Sequence, residues 1–165
     1  MQLHDDFRRA KKLHPDPVII AVNEAGRDHE GQLDHWASMH SDILARLVKE
    51  RARAEKTPAG SLWLPRHISA PPELQTRRAP SWGGSSGLLA VAVAFELGFT
   101  RILLCGVPLE RSGAHYFNTK RLWDDAARYR PAWQKNLEIM RDKVKSMSGW
   151  TAELLGQPDK AWLNA

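Results

Sequence analysis

The sequence predicts a single three-layer α/β domain built around a mostly parallel sheet. Three observations carry that expectation. Short aliphatic runs such as Val18–Val22 and Arg101–Cys105 read as buried strands, apolar or amphipathic helical segments alternate with them, and polar loops follow the strands. The length of 165 residues is that of one domain with a full core.

Asp5 to Leu13 reads as a short amphipathic helix, because Leu3, Phe7, Ala10 and Leu13 recur at helical spacing, and the segment His14–Pro17 stops it. Val18–Val22 is a β-branched run of the kind buried on both faces of a parallel sheet. Asn23–Gly31 is expected as a polar loop and His35–Met39 as a second short strand. Ser41–Lys56 is a helix with Ser41 as N-cap and with Ile43, Leu44, Leu47 and Val48 turned inward. Ser61–Leu64 is a third strand, and the proline-punctuated connector Pro65–Pro80 has room for another.

The central helix runs from Ser85 to Leu97 and closes at Gly98. Arg101–Cys105 is the next strand, Trp123–Lys143 a long helix broken or restarted at Pro131, Val144–Met147 a last strand, and Trp150–Leu155 a helix closed by Gly156. Right-handed crossovers place all strand C-terminal ends on one side, where open α/β sheets bind ligands. The loops Asn23–Gly31, Met39–Asp42, Gly106–Asn118 and Ser148–Gly149 are therefore expected to border one crevice, joined by Gly83–Gly87.

Composition excludes several classes. No apolar run approaches the roughly 18–20 residues of a membrane span, and the polar stretch Met1–Arg9 has no signal-peptide core. The single Cys105 rules out an internal disulfide framework and, at the end of an apolar run, reads as a packed thiol. The expected location is cytoplasmic, with no membrane partner. Net charge is +5, yet the basic residues are scattered, and the densest group (Arg46, Lys49, Arg51, Arg53, Lys56) is mixed with Glu50 and Glu55. That is a solvated helix face, so nucleic acid is not the expected partner.

Gly83–Gly87 joins small residues to a helix start, where unpaired N–H groups and the helix dipole favour an anion. Gly84, Ser85, Ser86 and Gly87 are thus expected to contact a phosphate; the alternative is a tight turn with a serine cap. The pattern is neither G-x-x-x-x-G-K-[ST] nor G-x-G-x-x-G. Asn23 follows a strand and can offer donor and acceptor to a base or sugar, or bond its own turn. Gly106 follows the strand that ends at Cys105. The dense stretch from Asp28 to His40 lacks the spacing of a strong metal motif; His29 and His35 read as structural, and His40 as the better candidate for proton transfer. His115 with Tyr116 can act as a base beside a phosphate-binding phenol, or lie exposed on a surface loop. Of the seven tryptophans, Trp82 is the one placed to stack on a base.

These residues resemble the Rossmann-like group that contains bacterial sialyltransferases and 6-hydroxymethylpterin diphosphokinase-like proteins. In the sialyltransferases a Ser-Gly-initiated alanine-rich helix leads into L-G-x-x-x-I-x-L-x-G and a loop ending in F-[DN]-T-K. The matching residues here are Ser86-Gly87, Leu97-Gly98, Ile102, Leu104, Gly106 and Phe117 to Lys120, about a quarter of the chain. Asn23 sits where that family has a nucleotide-contacting Asn, and Asn118 lies in the F-N-T-K element. Small phage and prophage members of the group are especially similar. The group begins with a strand and a G-x-G-P-S loop, whereas this chain starts inside the helix expected after that loop, so the first strand and glycine loop are expected to be missing.

The resemblance implies a nucleotide- or nucleotide-sugar-binding domain of glycosyltransferase type. His115, or else His40, would take the proton of a hydroxyl nucleophile, while Gly84–Gly87 and Tyr116 stabilise the departing phosphate. No metal is needed in that scheme. A diphosphokinase-like ATP-dependent transfer is the alternative with Mg²⁺, for which Asp28 and Asp34 are the attractive ligands. A non-catalytic, phage-derived binding or assembly protein is the third reading.

Overall fold

A computed structural model describes residues 2–110, 114–115, 118–122 and 126–165. Along the chain these form α1 (Gln2–Leu13), β1 (Ile20–Val22), α2 (Glu24–Asp28), β2 (His35–Ala37), α3 (Ser41–Arg53), β3 (Ser61–Pro65), β4 (Thr76–Ala79) and α4 (Ser86–Glu96). There follow β5 (Ile102–Leu104), β6 (Ala114–His115), β7 (Asn118–Leu122), a 3₁₀ turn (Ala126–Tyr129), α5 (Arg130–Lys135), α6 (Leu137–Met140), β8 (Val144–Ser146), α7 (Gly149–Leu155) and α8 (Lys160–Asn164). They fall into two compact units, Val18–Gly98 and Met1–Pro17 with Phe99–Ala165.

The unit Val18–Gly98 is a four-stranded parallel sheet in the order β1-β2-β3-β4, with Val22, Ala37 and Trp63 in register. Strand alternation sorts its side chains onto two faces. Ala21, Trp36 and Leu64 pack with Leu44 and Leu47 of α3, while Ala37, Trp63 and Ala79 pack with Leu89 and Val93 of α4. Helix, sheet and helix make the three layers that the alternation of elements predicts. Leu44 and Leu47 are fully buried, each stabilising the fold by about 1.5–3 kcal/mol.

Several local expectations change. The first strand shortens to Ile20–Val22 and leaves Val18 48% exposed, because the Ile19 N–H is taken by the Asp34 carboxylate at 2.8 Å before the ladder begins. Within the expected loop Asn23–Gly31 a one-turn helix, α2, forms instead. Its polar composition gives no apolar period, and its middle residue is a glycine. That glycine is required by packing: a Cβ on Gly26 would lie 2.1 Å from Trp36 Cε2. Helix α3 is capped by His40 rather than Ser41, with no side-chain cap bond.

Arg51, on the inner face of α3 and 2% exposed, binds the turn from inside. Its guanidinium donates to the carbonyls of Gly26 (2.8 Å), His29 (2.6 Å), Gly31 (3.2 Å) and Thr57 (2.7 Å). Burial lowers its pKa, and the four carbonyls supply the hydrogen bonds a desolvated cation needs.

In the other unit β5 pairs in parallel with β8, Ile102 opposite Val144 and Leu104 opposite Ser146. Leu104, Trp133, Met140, Val144 and Met147 are buried there. The described part of the expected helix Trp123–Lys143 is the 3₁₀ turn and two short helices; the expected restart at Pro131 is the opening of α5, which Asn136 closes by donating from Nδ2 to the Ala132 carbonyl at 2.7 Å. The expected loop after β5 contains an antiparallel hairpin, β6 with β7. A terminal helix not foreseen, α8, starts at Asp159, whose carboxylate accepts from Trp162 N at 2.7 Å. No described helix is long and apolar enough to cross a membrane.

Candidate functional site

The strand C-terminal ends of the unit Val18–Gly98 gather the polar groups that bear on function. Asn23 leaves β1 at φ 47°, ψ −127°, a backbone region that L-residues rarely occupy. Three hydrogen bonds hold it there. Its N–H donates to the Ala37 carbonyl at 3.2 Å, and its carbonyl accepts from Gly26 N (3.0 Å) and Trp36 Nε1 (2.8 Å). Backbone strain of this kind costs on the order of 1–3 kcal/mol and persists only where its surroundings enforce it. The side chain does not offset the cost: Asn23 makes no helix-cap bond, and its Oδ1 is buried without a hydrogen-bond partner among the described residues.

The end of β2 lies beside that turn. Ser38, fully buried, donates its N–H to Trp63 O at 3.2 Å. Its hydroxyl donates to His40 O and accepts from His40 N, both at 3.1 Å, which fixes the turn into α3. Between them Met39 N donates to Ser86 Oγ at 3.2 Å and so ties the end of β2 to the first turn of α4. Gly83 (φ 85°) and Gly84 (φ 78°) are exposed and left-handed, conformations glycine adopts without a Cβ penalty.

The two serines therefore work inside the fold. Ser85 is the N-cap, its Oγ accepting from Leu88 N at 3.3 Å, and Ser86, 8% exposed, accepts from Met39. The remaining first-turn donors are the N–H groups of Ser86 and Gly87, which have no intrahelical acceptor. His40 is exposed at the mouth of the β2–α3 turn. Trp82 packs edge-on against Phe95 of α4 with ring centroids 5.2 Å apart, a contact within the fold. Compared with known proteins, the chain matches no family model, no curated protein and no solved structure.

Other expected site residues lie elsewhere. Asp34 stands at the start of β2, the opposite strand end from Asn23, and its carboxylate is bonded to Ile19 N. Asp28 makes a two-pronged ion pair with Arg27 at 2.5 and 2.8 Å, which raises the Arg27 pKa further. The structure thus does not bring Asp34 to the Asn23 edge, and the Asp28 carboxylate is engaged by Arg27. Among the described residues no group of three His, Cys, Asp or Glu is placed to hold a metal ion. His35 Nδ1 accepts from Trp63 Nε1 at 3.4 Å, and burial lowers the pKa of both His29 and His35.

Gly106, His115 and Asn118 belong to the other unit. His115 and Asn118 pair across the β6–β7 hairpin; Tyr116 lies outside the described residues. Gly106 has φ 68°, and a Cβ there would lie 2.8 Å from Leu3 Cβ. Its N–H donates to Asp6 Oδ2 at 3.0 Å, and the Ser148 hydroxyl donates to the same oxygen. Burial, then the Asp6 charge, pushes the neighbouring Cys105 thiol up to about 12, so it stays protonated and unreactive at neutral pH.

Asp6 is absent from the sequence reading although a signal for it exists. It lies on the apolar face of α1, three residues after Leu3 and four before Ala10. Arg51 carries the same signal, seven residues after Leu44 on the inner stripe of α3. A charged residue in an apolar stripe marks a buried polar partner.

Proposed function

We propose that the unit Val18–Gly98 binds a nucleotide or nucleotide sugar at the ends of β1 and β2, in a protein of glycosyltransferase type. The observation that carries this reading is Asn23, a strained residue whose buried Oδ1 has no partner among the described residues. A buried acceptor without a donor costs about 1–3 kcal/mol. A ligand N–H or O–H from a base or sugar would remove that cost. The first-turn N–H groups of α4, preceded by the left-handed Gly83 and Gly84, would take the phosphate.

Transfer would then need a proton acceptor for the incoming hydroxyl. His40 is exposed one residue beyond Met39, whose amide is tied to α4. A binding protein without turnover is favoured by one specific observation: both serine hydroxyls are already engaged within the fold. The diphosphokinase reading draws no support from Asp28 and Asp34, given their partners and positions.

The test is thermal unfolding of the full chain with cytidine nucleotides, nucleotide sugars and ATP, with and without Mg²⁺. A ligand confined to the folded state adds about 2.7 kcal/mol at a hundred times its Kd. A cytidine nucleotide is expected to raise Tm more than metal-free ATP, and Asn23→Ala is expected to abolish the rise. A panel that shifts nothing overturns the reading.

A further inference from the structure

In the unit Met1–Pro17 with Phe99–Ala165, we propose that Asp6 occupies an oxyanion-binding position at the ends of β5 and β8, so that α1 is a built-in competitor of an anionic ligand. The inference is independent of the Asn23 reading. Gly106 N–H and the Ser148 hydroxyl, one following each strand, converge on the single oxygen Asp6 Oδ2. These are two neutral donors aimed at one anion, at the strand ends where parallel α/β sheets bind ligands. Asp6 is 2% exposed, so its carboxylate fills the position and excludes water.

The cradle is fixed by bonds that do not involve Asp6. Met147 N donates to Leu104 O at 3.0 Å, and Thr151 Oγ1 donates to Val107 O at 2.6 Å. Ser146 and Thr151, both buried, share a hydroxyl–hydroxyl hydrogen bond at 2.8 Å. Gly106 and Gly149 hold left-handed conformations at φ 68° and 69°. The donors thus stay pointed at the position when the carboxylate leaves it.

Helix α1 is held along the stripe Leu3, Asp6 and Ala10 and by Arg9, which donates to the Met147 carbonyl at 3.4 Å, while His4, Asp5, Arg8 and Lys12 are exposed. The segment His14–Pro17, with two prolines, ends the helix. A competitor that fills a site multiplies the apparent affinity by the fraction of molecules in which it is displaced.

The experiment titrates inorganic phosphate, and separately acetate, into ¹⁵N-labelled full-length protein while following the Gly106 amide resonance and Tm. The two arms tell a phosphate site from a carboxylate site. Asp6→Ala is expected to give a saturable Gly106 shift with at least about tenfold tighter phosphate binding than the parent, and phosphate is expected to raise the Tm of the variant but not of the parent. Asp6→Asn, which keeps shape and sheds charge, is expected to fall between. Equal titration of parent and variants, or a Gly106 amide that does not respond in Asp6→Ala, overturns the proposal. So does failure of both variants to fold even with phosphate, since the carboxylate is then a fixed part of the core.

Discussion

Two sets of parallel strands end in polar residues, and they end differently. Beyond β5 and β8, Gly106 and Ser148 both donate to Asp6. Beyond β1, Asn23 is held at φ 47° with a buried oxygen that no described residue satisfies. The first edge is closed by the protein's own carboxylate. The second stores strain and an unmet hydrogen bond that the fold could have avoided with glycine. The first edge has its donors matched from within, whereas the second lacks a donor that a ligand would supply.

The largest test of that contrast loosens the turn that follows Asn23. Arg51→Met keeps the aliphatic stem but leaves the carbonyls of Gly26, His29, Gly31 and Thr57 without their donor. A loss of about 3 kcal/mol or more is expected in urea unfolding. A loss below about 1 kcal/mol would mean that the four carbonyls find other donors. Next comes the saturated edge itself. Asp6→Ala, without added anion, leaves the part-buried Gly106 N–H and the Ser148 hydroxyl without their acceptor and is expected to cost about 1–3 kcal/mol.

A smaller effect attends the cap of α4. Ser85→Ala is expected to lose about 1 kcal/mol, measured by thermal unfolding, because Leu88 N loses its acceptor. No change would detach Ser85 from the helix start. The smallest effect is titration. His29 and His35 have folded-state pKa values below the ordinary value of about 6.5, chiefly through burial. The unfolded chain therefore binds more protons, and stability is full above about pH 6.5 and falls as pH drops through that value toward the folded pKa values. His35→Gln is expected to flatten part of the Tm decline between pH 7 and pH 5, and an unchanged slope would exclude His35 as a contributor.

Much of the architecture was legible in the sequence because it rests on hydrophobic period. The stripe Leu44–Leu47–Val48 and the apolar run Leu88–Phe95 each became the expected helix, and the β-branched run around Ile20 became a strand, although a shorter one that leaves Val18 exposed. What was not legible depends on tertiary contacts. Helix α2 is polar and contains Gly26, whose role appears only once Trp36 lies against it. Asp6 and Arg51 look like surface charges by residue type, and only their place in an apolar stripe gives them away. At the candidate site the position of Asn23 after a strand was readable, but its strain and its buried Oδ1 were not. The serines illustrate the converse: hydroxyls at a helix start attract a ligand reading, and here they cap the helix and tie it to β2.

The central claim is that Asn23 is kept for a ligand rather than for the fold. Asn23→Gly tests it most directly, with Tm measured in the presence and absence of a cytidine nucleotide. Glycine adopts φ 47° without the Cβ penalty and removes the orphaned oxygen, offset by its greater freedom in the unfolded chain. The account predicts a variant more stable by about 1 kcal/mol that no longer gains stability from the nucleotide. A variant less stable than the parent, or one that the nucleotide still stabilises equally, would contradict it.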